Sequence, residues 1–217
     1  MKIAIVGLAP STYSEAPFHD SSWKIWTIGQ KTASPRFDRW FEMHTMDIVK
    51  EISSHTFPNV IKFFQSMGDK LVVGHPHELC PAATIYPIEK LKPYFGTYFT
   101  STIAYMIALA IHEGAEEIGL WGVDMLGDGE YSHQRPCCEH MLGIAKGKGI
   151  KLTIPDKSPV LRSERMYGLE NCQMSLELTQ MQKELEKAVA DAETAALKAE
   201  FYRGQQAMLL NIKRRYG

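Results

Sequence analysis

Residues 103–111 read Ile-Ala-Tyr-Met-Ile-Ala-Leu-Ala-Ile, and only Tyr105 among them carries a polar atom on an otherwise apolar run. A helix that is apolar nearly all round belongs inside a protein, not on its surface. Thr100, Ser101 and Thr102 stand where that helix starts. Short hydroxyl side chains there can cap the backbone N–H groups that a first helical turn leaves unpaired. Gly114 supplies a stop. The run Ile118-Gly-Leu-Trp-Gly-Val-Asp124 follows, and a continuous apolar stretch closed by an acid predicts a central parallel strand. The pair implies an α/β fold with a mostly parallel sheet flanked by helices. In such sheets ligands sit beyond the carboxyl ends of the strands. Gly122, Asp124 and the loop to Tyr131 are therefore expected at a binding site, beside the hydroxyl-capped helix.

The remaining chain supplies the other layers. Residues 2–7 are a short apolar run ending in Gly7, followed by Leu8-Ala-Pro-Ser-Thr12. This is not the Gly-x-Gly-x-x-Gly dinucleotide fingerprint. Gly7, Ala9, Pro10 and Ser11 can still admit a phosphate, ribose or base close to the backbone. A plain strand-to-loop turn is the alternative. Residues 23–29 read as a second strand ending at Gly29 and Gln30, and residues 37–44 as a third. Period-two geometry puts Asp38, Trp40, Glu42 and His44 on one face of that third strand, with Arg39, Phe41 and Met43 on the other. The acidic face is either solvated or part of a pocket, and His44 falls at the strand end, where sites collect. Helices are expected over residues 47–54, 58–67, 87–95 and 136–146. Short strands are expected over residues 70–74 and 149–155, before a polar connector at 156–168.

Between Asp124 and Pro136, Gly127 and Gly129 predict a mobile loop of the kind that closes over ligands. Tyr131, His133, Gln134 and Arg135 on it carry the groups that grip phosphate and ribose. Neither His75, His77 and Cys80 nor His133, Cys137 and His140 make a four-ligand zinc framework, so no metal is expected.

Net charge of −1 gives no bulk electrostatic reason to expect a nucleic-acid or membrane partner. Lys213-Arg-Arg215 is too short to track a groove, and no run approaches the roughly 20 apolar residues of a membrane span. Residues 1–7 enter a strand pattern without a signal-peptide cleavage site. Cys80, Cys137, Cys138 and Cys172 are irregularly spaced, which suits a reducing cytoplasm better than a disulfide framework.

From Cys172 onward Gly204 is the only strong helix breaker. Leu178, Met181, Leu185, Ala188, Ala192, Ala195, Ala199, Tyr202, Gln206, Leu209, Lys213 and Tyr216 follow alternating steps of three and four. That is a heptad seam, and it predicts a coiled-coil helix roughly 60 Å long. Either it folds back over the sheet or it pairs with a partner helix, the second being favoured as a homo-oligomer. Two regions follow, residues 1–165 as the sheet domain and residues 172–216 as the helix.

Several of these motifs together resemble a known family. Gly7-x-Ala-Pro-Ser after the first strand is similar to the opening of the bacterial sialyltransferases of the Campylobacter type. The related Maf/MptE-like proteins (domain-of-unknown-function group 115) share that opening. Thr100-Ser101, the Ala-rich helix, Gly114-Ala-Glu-Glu-Ile-Gly-Leu-Trp-Gly-Val-Asp124 and Tyr131 resemble the family's second signature. Lys148-Gly-Ile-Lys-Leu with Ser158-Pro-Val-Leu resembles its closing strand. The chain also looks like a group of bacteriophage-encoded proteins carrying Asp-Arg-Trp-Phe-Glu-Met-His, which would place it in the host cytoplasm.

The resemblance implies a Rossmann-like fold that binds a nucleotide through Gly7, Ala9, Pro10, Ser11, Ser101 and Tyr131. Gly29 or Gln30 stands where the family has an asparagine. The family's histidine base lies in an insertion that this chain lacks, leaving His133, His140 and His44 as substitutes by proximity. The implied function is a nucleotide-sugar-dependent glycosyltransferase, with Tyr131 and Arg135 on the phosphate and His133 or His44 as base. No cofactor is expected beyond the nucleotide or nucleotide sugar. The alternatives are a non-catalytic protein that sequesters or senses a nucleotide, and a pyrophosphokinase-like transferase using Asp124 and Asp128 for magnesium.

Overall fold

The two apolar runs become neighbouring elements of one sheet-and-helix unit. The computed structural model describes residues 1–29, 35–53, 59–127, 129–163, 166–168 and 172–216. In order the chain forms β1 (Lys2–Val6), β2 (Trp23–Ile28), β3 (Arg39–Glu42), α1 (Met46–Ser53), α2 (Val60–Met67), β4 (Leu71–Val73) and β5 (Thr84–Ile85). Then follow α3 (Ile88–Phe95), α4 (Thr102–His112), β6 (Glu117–Trp121), α5 (Glu130–Gly147), β7 (Lys151–Thr153) and α6 (Cys172–Tyr216).

The described strands make a seven-stranded sheet in the order β5-β4-β3-β2-β1-β6-β7. Every neighbouring pair is parallel. Val6 pairs with Thr27 on one side and Trp121 on the other, so β1 lies between β2 and β6 with its carboxyl end level with theirs. The chain proceeds outward from β1 through β5 and then returns to β6 on its other side. That reversal is the topological switch point, where open α/β sheets bind ligands. The α/β class and the long final helix agree with the sequence.

Side-chain alternation along β1 builds the two faces. Ile3 and Ile5 join the cluster around α4, while Ala4 and Val6 join Trp23, Ile25 and Trp121 on the opposite face. Helix α4 is buried along its whole apolar run, with Ile103, Met106, Ile107 and Leu109 at most 4% exposed. Each such side chain contributes about 1.5–3 kcal/mol relative to an exposed one. A third cluster packs α1 and α2 against Trp40, Leu71 and Val73.

Two sequence expectations are corrected here, one open alternative is resolved and one unanticipated strand is added. The Trp40 face of β3 is not solvated, because the first helices cover it and Glu42 is 4% exposed. The short strand β5 pairs with β4, although its two residues are too few to show a period. The central strand ends at Trp121, since Gly122 takes a φ of +63° and turns the chain out of the ladder. Helix α5 begins at Glu130, so Tyr131, His133, Gln134 and Arg135 are helical. Gly129, at a φ of +73°, forms its N-cap position, and Ser132 donates its hydroxyl to the Gly129 carbonyl at 2.6 Å. Gln30, Ser54, Pro58 and Asp128 lie outside the described residues.

The chain divides into two compact units, Met1–Arg162 and Ser163–Gly217. The second contains α6, 45 residues long. Its seam residues Leu178, Met181, Leu185, Tyr202 and Leu209 are exposed, as are Val189, Leu197, Phe201, Met208 and Leu210 off the seam. Among the described residues no helix is long and apolar enough to cross a membrane.

Candidate functional site

At the switch point the turns leaving β1 and β6 are laced together. Gly7 N donates to the Trp121 carbonyl at 2.8 Å, and Ala9 N to the Gly122 carbonyl at 2.9 Å. Gly122 N donates to the buried Thr12 hydroxyl at 2.7 Å, and Ser11 donates its hydroxyl to Asp124 at 2.6 Å. Ser11 and Asp124, both expected at the ligand, thus hold each other. Pro10 is exposed and Ala9 half-buried beside them. Thr12 was not anticipated as an anchor. Its position directly after Ser11 was the available signal.

The adjoining cavity, about 330 Å³, lies beyond the carboxyl ends of β2 and β3. Its wall includes Ile28, His44, the first residues of α4 with Thr100 and Ser101, and Glu130 and Gln134 of α5. Of the expected residues it therefore gathers His44, Thr100, Ser101, Thr102 and Gln134. Gly29 follows β2 at a φ of +110°, packs against Leu8, and accepts from the Trp40 indole at 2.8 Å.

Ser101 caps α4, accepting from Ala104 N at 3.2 Å. Thr102 and Ile103 head that helix, so their N–H groups have no acceptor within it, and both residues line the cavity. Thr100 donates its hydroxyl to the His133 carbonyl at 2.8 Å. That carbonyl belongs to the turn before Pro136, whose missing N–H weakens the ladder of α5. Tyr105 stacks on Phe99 at 4.6 Å and meets Tyr86 edge-on at 5.0 Å, while the Tyr86 hydroxyl donates to the Tyr105 carbonyl at 2.9 Å. Burial pushes the Tyr86 and Tyr105 hydroxyls above the usual phenol range.

Across the cavity, His44 Nδ1 lies 2.6 Å from Glu42 Oε1, which also accepts from the His44 backbone N at 3.0 Å. The hydrogen bond to Glu42 raises the His44 pKa above its ordinary value, against the opposing effect of partial burial, and the charges of Glu42 and Glu130 add to the rise. Gln134 and Glu130 are hydrogen-bonded to each other.

The other expected residues of α5 lie elsewhere. Tyr131 is 46% exposed. His133 is exposed and meets the site through its backbone carbonyl. Arg135 donates to Glu139 at 2.9 Å and to the carbonyls of Pro159 and Arg162 at 2.8 and 3.4 Å, so it fastens the segment after β7 to α5. Cys137 donates its thiol to the Tyr98 carbonyl at 3.0 Å, and burial pushes the Cys138 thiol up to about 12. Among the described residues no group of three or more His, Cys, Asp or Glu side chains is set to hold a metal ion.

No protein-family model matches the chain, and no curated protein matches it significantly. Among solved structures it is similar to the sialyltransferase CstII from Campylobacter jejuni in complex with the substrate analogue CMP-3FNeuAc. The identity is 16% over 70% of this chain and 79% of that one, with a TM-score of 0.48. A CstII complex with cytidine-5'-monophosphate gives 18% identity over 70% and 78% of the two chains, with a TM-score of 0.46. A complex of the same enzyme with a trisaccharide acceptor and CMP gives 15% over 76% and 89%, with a TM-score of 0.46.

Proposed function

We propose that the chain is a nucleotide-sugar-dependent transferase of the glycosyltransferase class, acting at the cavity beyond β2 and β3. The observation that carries this is one cavity wall holding the open amino end of α4 and another holding the His44 imidazole. A helix amino terminus binds anions through its free N–H groups and its dipole. A histidine paired with a carboxylate accepts protons. Transfer from a nucleotide sugar needs both, because the phosphate gains charge as the glycosidic bond breaks and the acceptor hydroxyl must lose its proton.

The resemblance of the Gly7–Ser11 turn and the Thr100-Ser101 segment to the sialyltransferase motifs supports a nucleotide as the anion. In this reading Ser101, Thr102 and Ile103 take the phosphate. The Gly7, Ala9, Pro10, Ser11, Gly122 and Asp124 turns, together with Gly29, border the nucleoside. Thr100, just before α4, and Gln134 of α5 bound the site, whereas exposed Tyr131 lies outside its lining. His44 replaces His133 as the base, since only the His44 ring lines the cavity. Arg135 is left out of the phosphate site because its donors are committed to Glu139 and two carbonyls.

Incubation with cytidine and uridine nucleotide sugars and a set of glycan acceptors, following released nucleotide, tests this. Release that depends on His44 supports it. Tight nucleotide binding with every donor recovered intact would assign the site to binding without transfer. The exposed heptad positions of α6 support a second copy of this chain as the partner of that helix.

A further inference from the structure

We infer that Glu42 is a positioning residue that holds the His44 ring with Nδ1 protonated and Nε2 bare, making Nε2 the proton acceptor of the cavity. This rests on the transferase reading of the same site, and it adds a residue and a proton path to it.

The geometry starts from the strand. Glu42 is the last residue of β3, an interior strand, and it pairs with Val73 of β4. A carboxylate buried there is retained only where a partner satisfies it. Its Oε1 accepts twice from one residue, at 3.0 Å from the His44 backbone N and at 2.6 Å from Nδ1. The first bond sets where His44 leaves the strand. The second sets the ring plane and, since a carboxylate can only accept, puts the neutral ring's proton on Nδ1. A charge-assisted bond of this length is stronger than a neutral one. The His44 side chain is 55% exposed while that of Glu42 is 5% exposed, so the pair runs from the interior to the cavity.

Among the described residues, other charged and titratable groups near the ring are few. Glu130 of α5 lines the same cavity and adds negative charge, and Tyr105 of α4 lines it with a hydroxyl held above the usual range. The charge of Glu130 favours the imidazolium, but the hydrogen bond to Glu42 is the larger influence, so the principal control is Glu42. In the transfer step the acceptor O–H proton moves to Nε2. The acceptor oxygen forms its bond to the anomeric carbon, and the bond from that carbon to the phosphate oxygen breaks with its electron pair leaving on the nucleotide. Glu42 then faces the resulting imidazolium and stabilises it.

A merely structural pair would satisfy the buried carboxylate without controlling the ring, and the two roles differ in a readout that needs no turnover. Long-range proton–nitrogen spectra of ¹⁵N-histidine protein are recorded against pH for wild type and Glu42→Gln, with His44→Gln to assign the ring. The wild type is expected to show the Nδ1–H tautomer and a midpoint above the ordinary histidine value of about 6.5. Glu42→Gln is expected to lower the midpoint by about half a unit or more. Glu42→Asp, which keeps the charge but withdraws it by one methylene, should fall between and serves if the glutamine variant does not fold. Equal midpoints and tautomers in wild type and the variants overturn the inference, whether or not any donor is turned over. With an active donor, Glu42→Gln should lower kcat roughly tenfold to a hundredfold with little change in KM, less than the loss of the general base itself would cost. It should also move the acid limb of the rate profile to lower pH. An unmoved limb would likewise overturn it.

Discussion

Gly7 and Gly122 meet backbone to backbone at the switch point. A Cβ on Gly7 would stand 2.3 Å from the Gly122 carbonyl oxygen, and one on Gly122 would stand 2.7 Å from the Gly7 carbonyl oxygen. The obstacle in each case is main chain, which cannot rotate away as a side chain can. Gly122 also sits at a φ of +63°, a region that a Cβ disfavours. Gly7→Ala is expected to cost about 2–3 kcal/mol, and Gly122→Ala about 1–2 kcal/mol more for the left-handed backbone. Urea midpoints measured side by side check the order, and equal values for the two variants would contradict it.

Ser101 separates capping from anion binding. Its hydroxyl accepts from Ala104 N at the head of α4, so Ser101→Ala should lower stability by about 1 kcal/mol. Ser101→Asp caps equally well and suits the helix dipole, yet brings a negative charge to the proposed phosphate. The aspartate variant is expected to melt near the wild type while losing the stabilisation that added nucleotide gives. Thermal melts with and without CMP check this; an intact nucleotide shift in Ser101→Asp would move the phosphate elsewhere.

How much of this was readable in the chain depended on the residues. The run from Ile103 to Ile111 and the strand after it declared themselves, because burial on all sides leaves no polar position to confuse the period. Glu42 and His44 were legible as same-face neighbours at a strand end, but their pairing was not, since only the packing of α1 and α2 over Trp40 shows that this face is interior. The start of α5 was misread because Gly127, Gly129 and Pro136 are loop residues by habit. Here the glycines precede the first turn, and the proline is carried inside the helix. Arg135 had the chemistry of a phosphate ligand, and its direction followed from the carbonyls of Pro159 and Arg162, 24 and 27 residues along the chain.

The Glu42–His44 pair gives stability a pH dependence of known sign. The folded pKa of His44 lies above its ordinary value, chiefly through the hydrogen bond to Glu42. Its stabilising contribution is therefore complete below about pH 6.5 and declines as pH rises through the folded value. The melting-temperature difference between wild type and Glu42→Gln should narrow over that rise. The half-exposed ring keeps the effect small. A difference that widens toward alkaline pH would contradict the assignment.

Leu185 occupies the seam of α6 and is 66% exposed. If a second copy covers that seam, Leu185→Glu should lower the mass found by light scattering to that of one chain, with the nucleotide site unaffected. An unchanged mass would place the contact elsewhere on the chain.

Helix α4, enclosed along its whole apolar run, has no soft direction in which to yield. Its amino end presents the same N–H groups before and after a ligand arrives, so little rearrangement is asked of it. The wall built by α5 is different in kind. There Glu130 and Tyr131 are exposed at the head of a helix that follows two glycines in left-handed conformations, Gly127 and Gly129. One wall is thus suited to hold what all ligands of a class share, and the other to distinguish among them. Under the proposed function, changes that retune which sugar or acceptor is taken belong on α5, and changes on α4 would alter affinity for the whole class alike.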